Sequence, residues 1–389
     1  MNTSKKTNSW INYFNIGKHP GRIPELDGFR AFAIILVLFR HFADFYQDFH
    51  ASYYRNIFGD SILHNFMQNG WLGVDLFFVL SGYLIFYHLL SVQNKPDRAQ
   101  TYGRYALKRI LRTFPLYYAI IALIFLGLIP FYQAPASAGW DQLITHLVFL
   151  QDYKGTDILV PLWSLASEEK FYLLAPILLW LVSYLPTRKS IIYICIFIAS
   201  SVLLKTFLIF NLDEPLPYDT FFWHFRAPFH YAITSILIGV IIALLSQHQA
   251  PKWLPKLGLI SALIVILLLL IESWVDTTGW HRVNIMHLLF TMACGLLVWT
   301  AVKHSGMRTM RFLTGRILRI IAVLSYSLYL VHYTVLPWTF QFHKQHIRSE
   351  EPWIHGLSFF AIYIGLSFLA SLLLHYLIEK PFLILKDRL

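Results

Sequence analysis

The sequence predicts an all-α polytopic membrane helix bundle of about ten transmembrane helices. Three observations carry that reading. Of 389 residues, 57% are hydrophobic and only 14% charged, against about a quarter charged in ordinary soluble domains. The mean hydropathy is +0.53, more apolar material than one soluble core can hide behind its polar surface. Ten mostly apolar runs of spanning length follow one another along the chain. Finally, Lys and Arg gather in alternate loops. A soluble enzyme, a secreted disulfide scaffold and a disordered chain are therefore excluded as classes.

The runs cover residues 26–46, 70–91, 112–133, 162–185, 190–210, 225–246, 257–275, 284–303, 319–341 and 355–378. The most continuous is 257–275. The run 162–185 is interrupted by charges near its start. The segment 140–151 has helical periodicity but is too short to cross, and is expected to lie along the interface or re-enter. No polar block is long enough for a soluble domain, so residues 1–389 read as a single domain, with 1–25 as a basic cytoplasmic tail.

Twenty-two of the 32 Lys and Arg fall at loops and ends of one parity, and five at the other. Cytoplasmic loops collect positive charge, so an even number of spans with both termini in the cytoplasm is expected. The formal charge of +11 is explained by those loops, and no nucleic-acid partner is expected. The two cysteines, Cys195 and Cys294, stand in apolar runs without metal-ligand spacing. Neither a metal site nor a disulfide framework is predicted.

Charges inside spans are costly and point to function. Arg30 and His41 are eleven residues apart in the first span, which places them about 20° apart around the helix and ~16 Å along it. One stripe therefore carries a guanidinium near the inner end and an imidazole in the outer half. Asp44 follows His41 at i+3, close enough to orient it. Asp75 and Glu168 are expected at the same depth as His41. A His and two carboxylates converging from three spans make an acid–base site. His332, preceded by Ser325 and Tyr326, falls at middle to outer depth. At the inner end, Lys108, Arg109 and Arg112 join Arg30 in a cationic cluster suited to a phosphate-bearing cytosolic ligand.

Plainer readings compete with these. His41 could be a packing histidine, and Arg109 and Arg112 topology signals that touch anionic lipid. Asp75 and Glu168 could pair structurally with intramembrane cations such as Arg226 or Lys205. Phe221–Trp223 reads as an interfacial aromatic belt, and Tyr326 and Tyr329 as packing residues.

Taken in order, the motifs resemble the membrane-bound acyltransferase-3 family. Ile23-Pro24-Glu25-Leu26-Asp27-Gly28-Phe29-Arg30-Ala31 is similar to its first-span signature, and Arg30 with His41 to its Arg-x10-His. Gly73-Val74-Asp75-Leu76-Phe77-Phe78-Val79-Leu80-Ser81-Gly82-Tyr83-Leu84-Ile85 is similar to the second-span signature. Arg109-Ile110-Leu111-Arg112 looks like the Arg-x-x-Arg element. Trp163-Ser164-Leu165 with Glu168, Glu169, Phe171 and Tyr172 looks like the fourth-span box. Ser325–His332 and Glu379-Lys380-Pro381-Phe382 look like the late boxes. Lys170 departs from the usual Gln and Thr113 from a branched apolar residue, and Lys170 is expected to touch the acceptor side.

The resemblance implies O-acylation of a cell-surface carbohydrate. The co-substrate would be cytosolic acetyl-CoA or another acyl-CoA, with no permanently bound cofactor. The setting would be a bacterial inner membrane. Arg30, Arg109 and Arg112 would hold the donor. His41, with Asp44, Asp75 and Glu168, would do the chemistry. Ser81, Trp163, Ser164, Glu169, Tyr326 and His332 would support the acceptor side. Expected partners are membrane lipid and a carbohydrate or glycolipid acceptor, with a separate extracytoplasmic protein left open; the form expected is the stand-alone one, without an esterase-like domain. No His-x4-Asp, GxSxG or phosphate-binding Gly loop is found. The reading from another class is a transporter or exporter using the intramembrane charges.

Overall fold

The structure is a computed structural model that describes residues 23–59, 61–93, 97–133, 139–155, 158–212, 216–272 and 279–389. The basic tail up to residue 22, with its share of the positive charges, lies outside the described residues. Among the described residues there is no strand. Ten helices of 17 or more residues, counted among the described residues, correspond to the ten apolar runs: α1 Pro24–Phe49, α2 Gly73–Val92, α3 Arg98–Phe125, α4 Leu162–Ser183, α5 Thr187–Phe210, α6 Phe229–Leu245, α7 Leu254–Leu270, α8 Trp280–Lys303, α9 Arg316–His346 and α10 Pro352–Leu374.

Local signals set several boundaries. Pro24 and Pro352 stand in the first turns of α1 and α10, where a missing N–H costs nothing. The Asp97 carboxylate accepts from the Gln100 N–H at 2.9 Å and caps α3. That cap starts α3 fourteen residues before the apolar run beginning at 112. Lys108, Arg109 and Arg112 therefore lie within the helix rather than opening it. The segment 140–151 becomes two short helices, Trp140–Leu147 and Gln151–Lys154. Trp140 is 77% exposed, and the Tyr117 and Tyr118 hydroxyls donate to the carbonyls of His146 and Leu147.

Among the described residues, five helical stretches are long and apolar enough to cross a membrane: Ile62–Val92, Thr187–Phe210, Arg282–Lys303, Arg316–His346 and Pro352–Asp387. A sixth is the pair Tyr218–Arg226 and Phe229–Leu245, bent by 63°. Helices α1, α3 and α4 fall outside this set because charged residues interrupt every long apolar stretch in them, and α7 has only 17 residues. The helices that fail on composition are the ones carrying Arg30, Arg40, Arg109, Arg112, Glu168 and Glu169. Apolar helices of this number and length make the chain a multi-pass membrane protein.

Without water to squeeze out between them, membrane helices associate through close backbone approach at small residues. Helices α2 and α6 cross at Gly82 and Gly239. A Cβ on Gly82 would sit 2.0 Å from the Ile236 carbonyl oxygen, and one on Gly239 2.1 Å from that of Val79. Gly70 and Gly73 let the start of α2 lie against Leu36 and Ala33 of α1 in the same way. Helix α1 also packs on α9 and so stands at the centre. Helices α5 and α7 are peripheral, presenting Leu203, Phe207 and Leu263 outward.

Two wide turns matter for the site. Residues 222–226 form a π turn before the bend into α6. A second π turn over 375–379 follows α10 and redirects the chain into Lys380–Asp387, which packs on α3. Such turns swing side chains off the ordinary helical register.

Candidate active site

Two cavities lie along α1. The inner one, of ≈ 370 Å³, is lined by Arg30, Ser81, His88, Lys108, Arg109, Arg112, Ser164, Glu168, Tyr172, Ser325, Tyr326 and Lys386, with apolar residues of α2 between them. The outer one, of ≈ 240 Å³, is lined by Arg40, His41, Asp44, Asp48, Trp71, Trp163, Tyr218, Asp219, Phe222, Trp223, Arg226 and Tyr333 among others. Arg30 and His41 thus share the cavity-facing side of α1, each in a different cavity. Along α1, Val37, His41, Asp44 and Asp48 repeat at helical spacing on the wall of the outer cavity.

The inner cavity is cationic. Arg30, Lys108, Arg109, Arg112 and Lys386 face one carboxylate, Glu168. The Arg109 guanidinium lies over the rings of Tyr105 and Tyr172, at 5.7 and 5.6 Å, and its buried Nε has no hydrogen-bond partner among the described residues. Glu168 is held by two hydroxyls: Ser81 donates to Oε1 at 2.7 Å and Tyr172 to Oε2 at 2.9 Å. Tyr326 donates to the Thr113 carbonyl at 2.7 Å, tying α9 to the arginine-bearing turn of α3.

The outer cavity is aromatic and mixed in charge. The His41 ring lies 5.1 Å from His332 and 5.1 Å, edge-on, from Tyr333. His332 is fully buried. Its Nδ1–H donates to the Leu328 carbonyl at 3.1 Å, which leaves the Nε2 lone pair as the ring's free acceptor. That atom is buried without a partner among the described residues.

The expected convergence of His41, Asp75 and Glu168 does not form. Val74, Phe77, Phe78, Ser81, Leu84 and Ile85 make the cavity face of α2. Asp75 stands one residue, about 100°, beyond Val74, and turns toward α6 and α8. There it accepts from Arg226 at 2.6 Å and Ser235 at 2.9 Å, with His287 at 2.8 Å. The structural pairing with Arg226 is the reading the structure supports for Asp75. Glu168 belongs to the inner cavity, not to His41. Asp44 forms an ion pair with Arg40 at 2.9 Å, and Arg40 also reaches the Gln68 side chain. Of the expected acceptor-side residues, Ser81, Ser164 and Tyr326 line the inner cavity and Trp163 the outer. Glu169 and His332 line neither; Glu169 faces Thr113 of α3.

Lys170 also lines neither cavity. It pairs with buried Asp152 at 2.6 Å and pins the loop before α4. Phe222 and Trp223, expected in an interfacial belt, line the outer cavity because the π turn rotates them inward. Sequence reasoning missed Lys386 and Arg226 as cavity residues. Lys386 reads in the sequence as a terminal topology charge, and the π turn at 375–379 is what brings it back to the cavity. Arg226 is stacked between Trp71 and Trp163, at 4.9 and 5.0 Å. Its place next to an aromatic run was the available signal.

Residues 23–376 match a family described as an acyltransferase domain. The chain belongs to the acyltransferase-3 family. It is 25% identical over 92% of its length to a protein of Staphylococcus aureus (strain COL) named as a proposed O-acetyltransferase, covering 57% of that protein. It is 28% identical over 82% of its length to YrhL of Bacillus subtilis, named as a proposed peptidoglycan O-acetyltransferase, covering 49% of it. Over 84% of its length it is 24% identical to O-acetyltransferase OatA of Staphylococcus aureus, covering 52% of that protein. The chain thus spans about half the length of the curated relatives it matches. No solved structure matches it. Family membership agrees with the resemblance seen in the motifs, including Arg30 with His41 and the second-span signature.

Proposed function

We propose that this chain is an integral membrane O-acetyltransferase that moves an acetyl group from cytosolic acetyl-CoA to a hydroxyl of an extracytoplasmic or lipid-linked sugar. The observation that carries this reading is the pair of unlike cavities on one helix. Five cations around one carboxylate suit the phosphates of a nucleotide thioester. Aromatic rings interleaved with Asp44, Asp48 and Asp219 suit a sugar, whose C–H faces stack on rings and whose hydroxyls donate to carboxylates. The names of the relatives, which include a peptidoglycan O-acetyltransferase, support a glycan acceptor.

In this reading all ten long helices span a bacterial inner membrane as a single domain. Both termini are cytoplasmic, which suits Arg30 near the start of α1 and Lys386 near the chain's end lining the same cavity. Arg30, Arg109 and Arg112, with Lys386, hold the donor, and the thioester points along α1 toward His41. His41 takes the proton of the acceptor hydroxyl as its oxygen attacks the thioester carbonyl. The C–S bond breaks, and the thiolate leaves with the proton that His41 returns. His332 and Tyr333 fix the His41 ring, and Trp163 faces the acceptor. Glu168 keeps Ser81 and Tyr172 in place beside the donor.

The test is CoA release by the purified protein with acetyl-CoA and a cell-wall glycan fragment, together with mass analysis of surface glycans after deletion of the gene. An acetyl-sized increment lost from the glycans, and CoA release that His41→Ala removes while the protein remains folded in the membrane, are the expected results. Unchanged glycans with altered solute uptake would favour transport.

A further inference from the structure

The two cavities have only Val74 and Tyr329 in common among the described residues. Tyr329 is 6% exposed. Its hydroxyl donates to the Pro161 carbonyl at 2.8 Å and lies 2.6 Å from Ser164 Oγ. Pro161 lines the outer cavity and Ser164 the inner one. The hydroxyl is therefore held between one residue from each side, at the first turn of α4. The ring meets Phe77 edge-on at 6.3 Å and lies 5.7 Å from His332. Val74, the other shared residue, is 8% exposed.

We infer that Tyr329 is a movable partition between the donor and acceptor cavities, latched by Ser164 and Pro161. Two neutral hydrogen bonds hold the ring across the passage, yet are weak enough for a bound ligand to break. Tyrosine is well suited to such a gate, because its ring blocks water, only two torsions need to turn, and its hydroxyl finds partners when closed. With the ring in place, a thioester in the inner cavity is kept from water and solutes on the other side. With the ring aside, the acyl group reaches His41. What passes the partition rests on the acyl-transfer reading; the partition itself does not.

The test reads access directly. Cys195 and Cys294, both free thiols, are replaced by Ser, and Val160→Cys places a thiol in the outer cavity. A membrane-impermeant maleimide is applied to right-side-out and to inverted membrane vesicles. With Tyr329 intact, labelling is rapid from one face and slow from the other. Tyr329→Ala is labelled from both faces. Tyr329→Phe keeps the ring and loses the latch, so labelling from the second face rises about tenfold over the Tyr329 parent, as expected for losing one to two neutral hydrogen bonds.

Equal labelling from both faces with Tyr329 intact overturns the partition, as does one-face labelling of Tyr329→Ala. Should Tyr329→Ala fail to reach the membrane, second-face labelling of Tyr329→Phe at the parent's slow rate overturns it. Acetyl-CoA turnover by the same preparations separates the two readings. Face-selective labelling with no CoA release removes the acyl-transfer reading and leaves the partition. CoA release with labelling equal from both faces removes the partition alone.

Discussion

Asp75 and Arg226, 151 residues apart in sequence, are joined by a 2.6 Å ion pair with 0% and 4% of their side-chain surfaces exposed. Arg226 is further clasped by two tryptophans, so the pair fixes the junction of α2 with the bent entry to α6. Removing one partner of a buried pair strands the other charge, at a cost of about 3–5 kcal/mol. Asp75→Asn and Arg226→Gln are each expected to lower the thermal midpoint in detergent sharply. The double variant Asp75→Asn with Arg226→Gln should recover part of the loss. Additive effects in that cycle would show that the pair is not coupled.

Read as the donor site, the inner cavity predicts a division between binding and turnover. Arg109→Ala removes a charged donor that contacts the cavity and not the reacting carbonyl. Loss of one charge-assisted hydrogen bond, about 1.5–3 kcal/mol, should raise KM for acetyl-CoA by roughly 10- to 100-fold with kcat little changed. Lys386→Ala should act in the same direction. Steady-state kinetics with acetyl-CoA varied check both, and an unchanged KM in each variant would remove the phosphate-binding role.

His41 is expected to act in the chemical step. General-base catalysis contributes typically about 10²–10⁴-fold, so His41→Ala should lose that factor in kcat while KM for the donor stays close to wild type. A donor KM that rises instead would place His41 in binding.

Gly82→Ala puts a methyl group 2.0 Å from the Ile236 carbonyl oxygen. The backbone must move, and overpacking of this kind costs about 1–3 kcal/mol or more. Gly103, in α3, has no heavy atom within 4 Å of its added Cβ. Gly103→Ala should leave the midpoint unchanged or raise it, since Ala is the better helix former. Equal midpoints for the two variants would contradict the close crossing of α2 and α6.

His50, just beyond the end of α1, has its pKa lowered from 6.5 to about 4 by burial and by the neighbouring His355 and His343 imidazoles. Their rings lie 4.6 and 6.3 Å away. An unfolded chain protonates this residue near its ordinary value, whereas the folded one resists until about 4. In that window the unfolded state binds more protons, so stability falls as pH drops from 6.5 toward 4. Thermal unfolding of wild type and His50→Gln across this range should converge as pH falls. A constant difference between them would contradict the assignment.

Much of this protein was legible in the order of its residues: the class, the ten helical segments, the family, and the stripe on α1 that carries Arg30 and His41. The class, the helical segments and the stripe follow from composition, apolar run length and a 3.6-residue period, all of which are properties of one segment at a time; the family follows from the resemblance of its ordered motifs. The same reasoning put Arg109 and Arg112 on a shared face, and the structure has both on the inner cavity.

How the helices are rotated against one another emerged only from their packing. Depth along a helix can be counted from its ends, but rotation about its axis is set by side-chain contacts with neighbours. Equal depth therefore suggested that Asp75, Glu168 and His41 meet. The glycine crossing of α2 with α6 turned Asp75 to Arg226 and left Glu168 with Ser81 in the other cavity. The same holds for Lys386 and Trp223, whose positions depend on π turns, and for Tyr329, which borders both cavities.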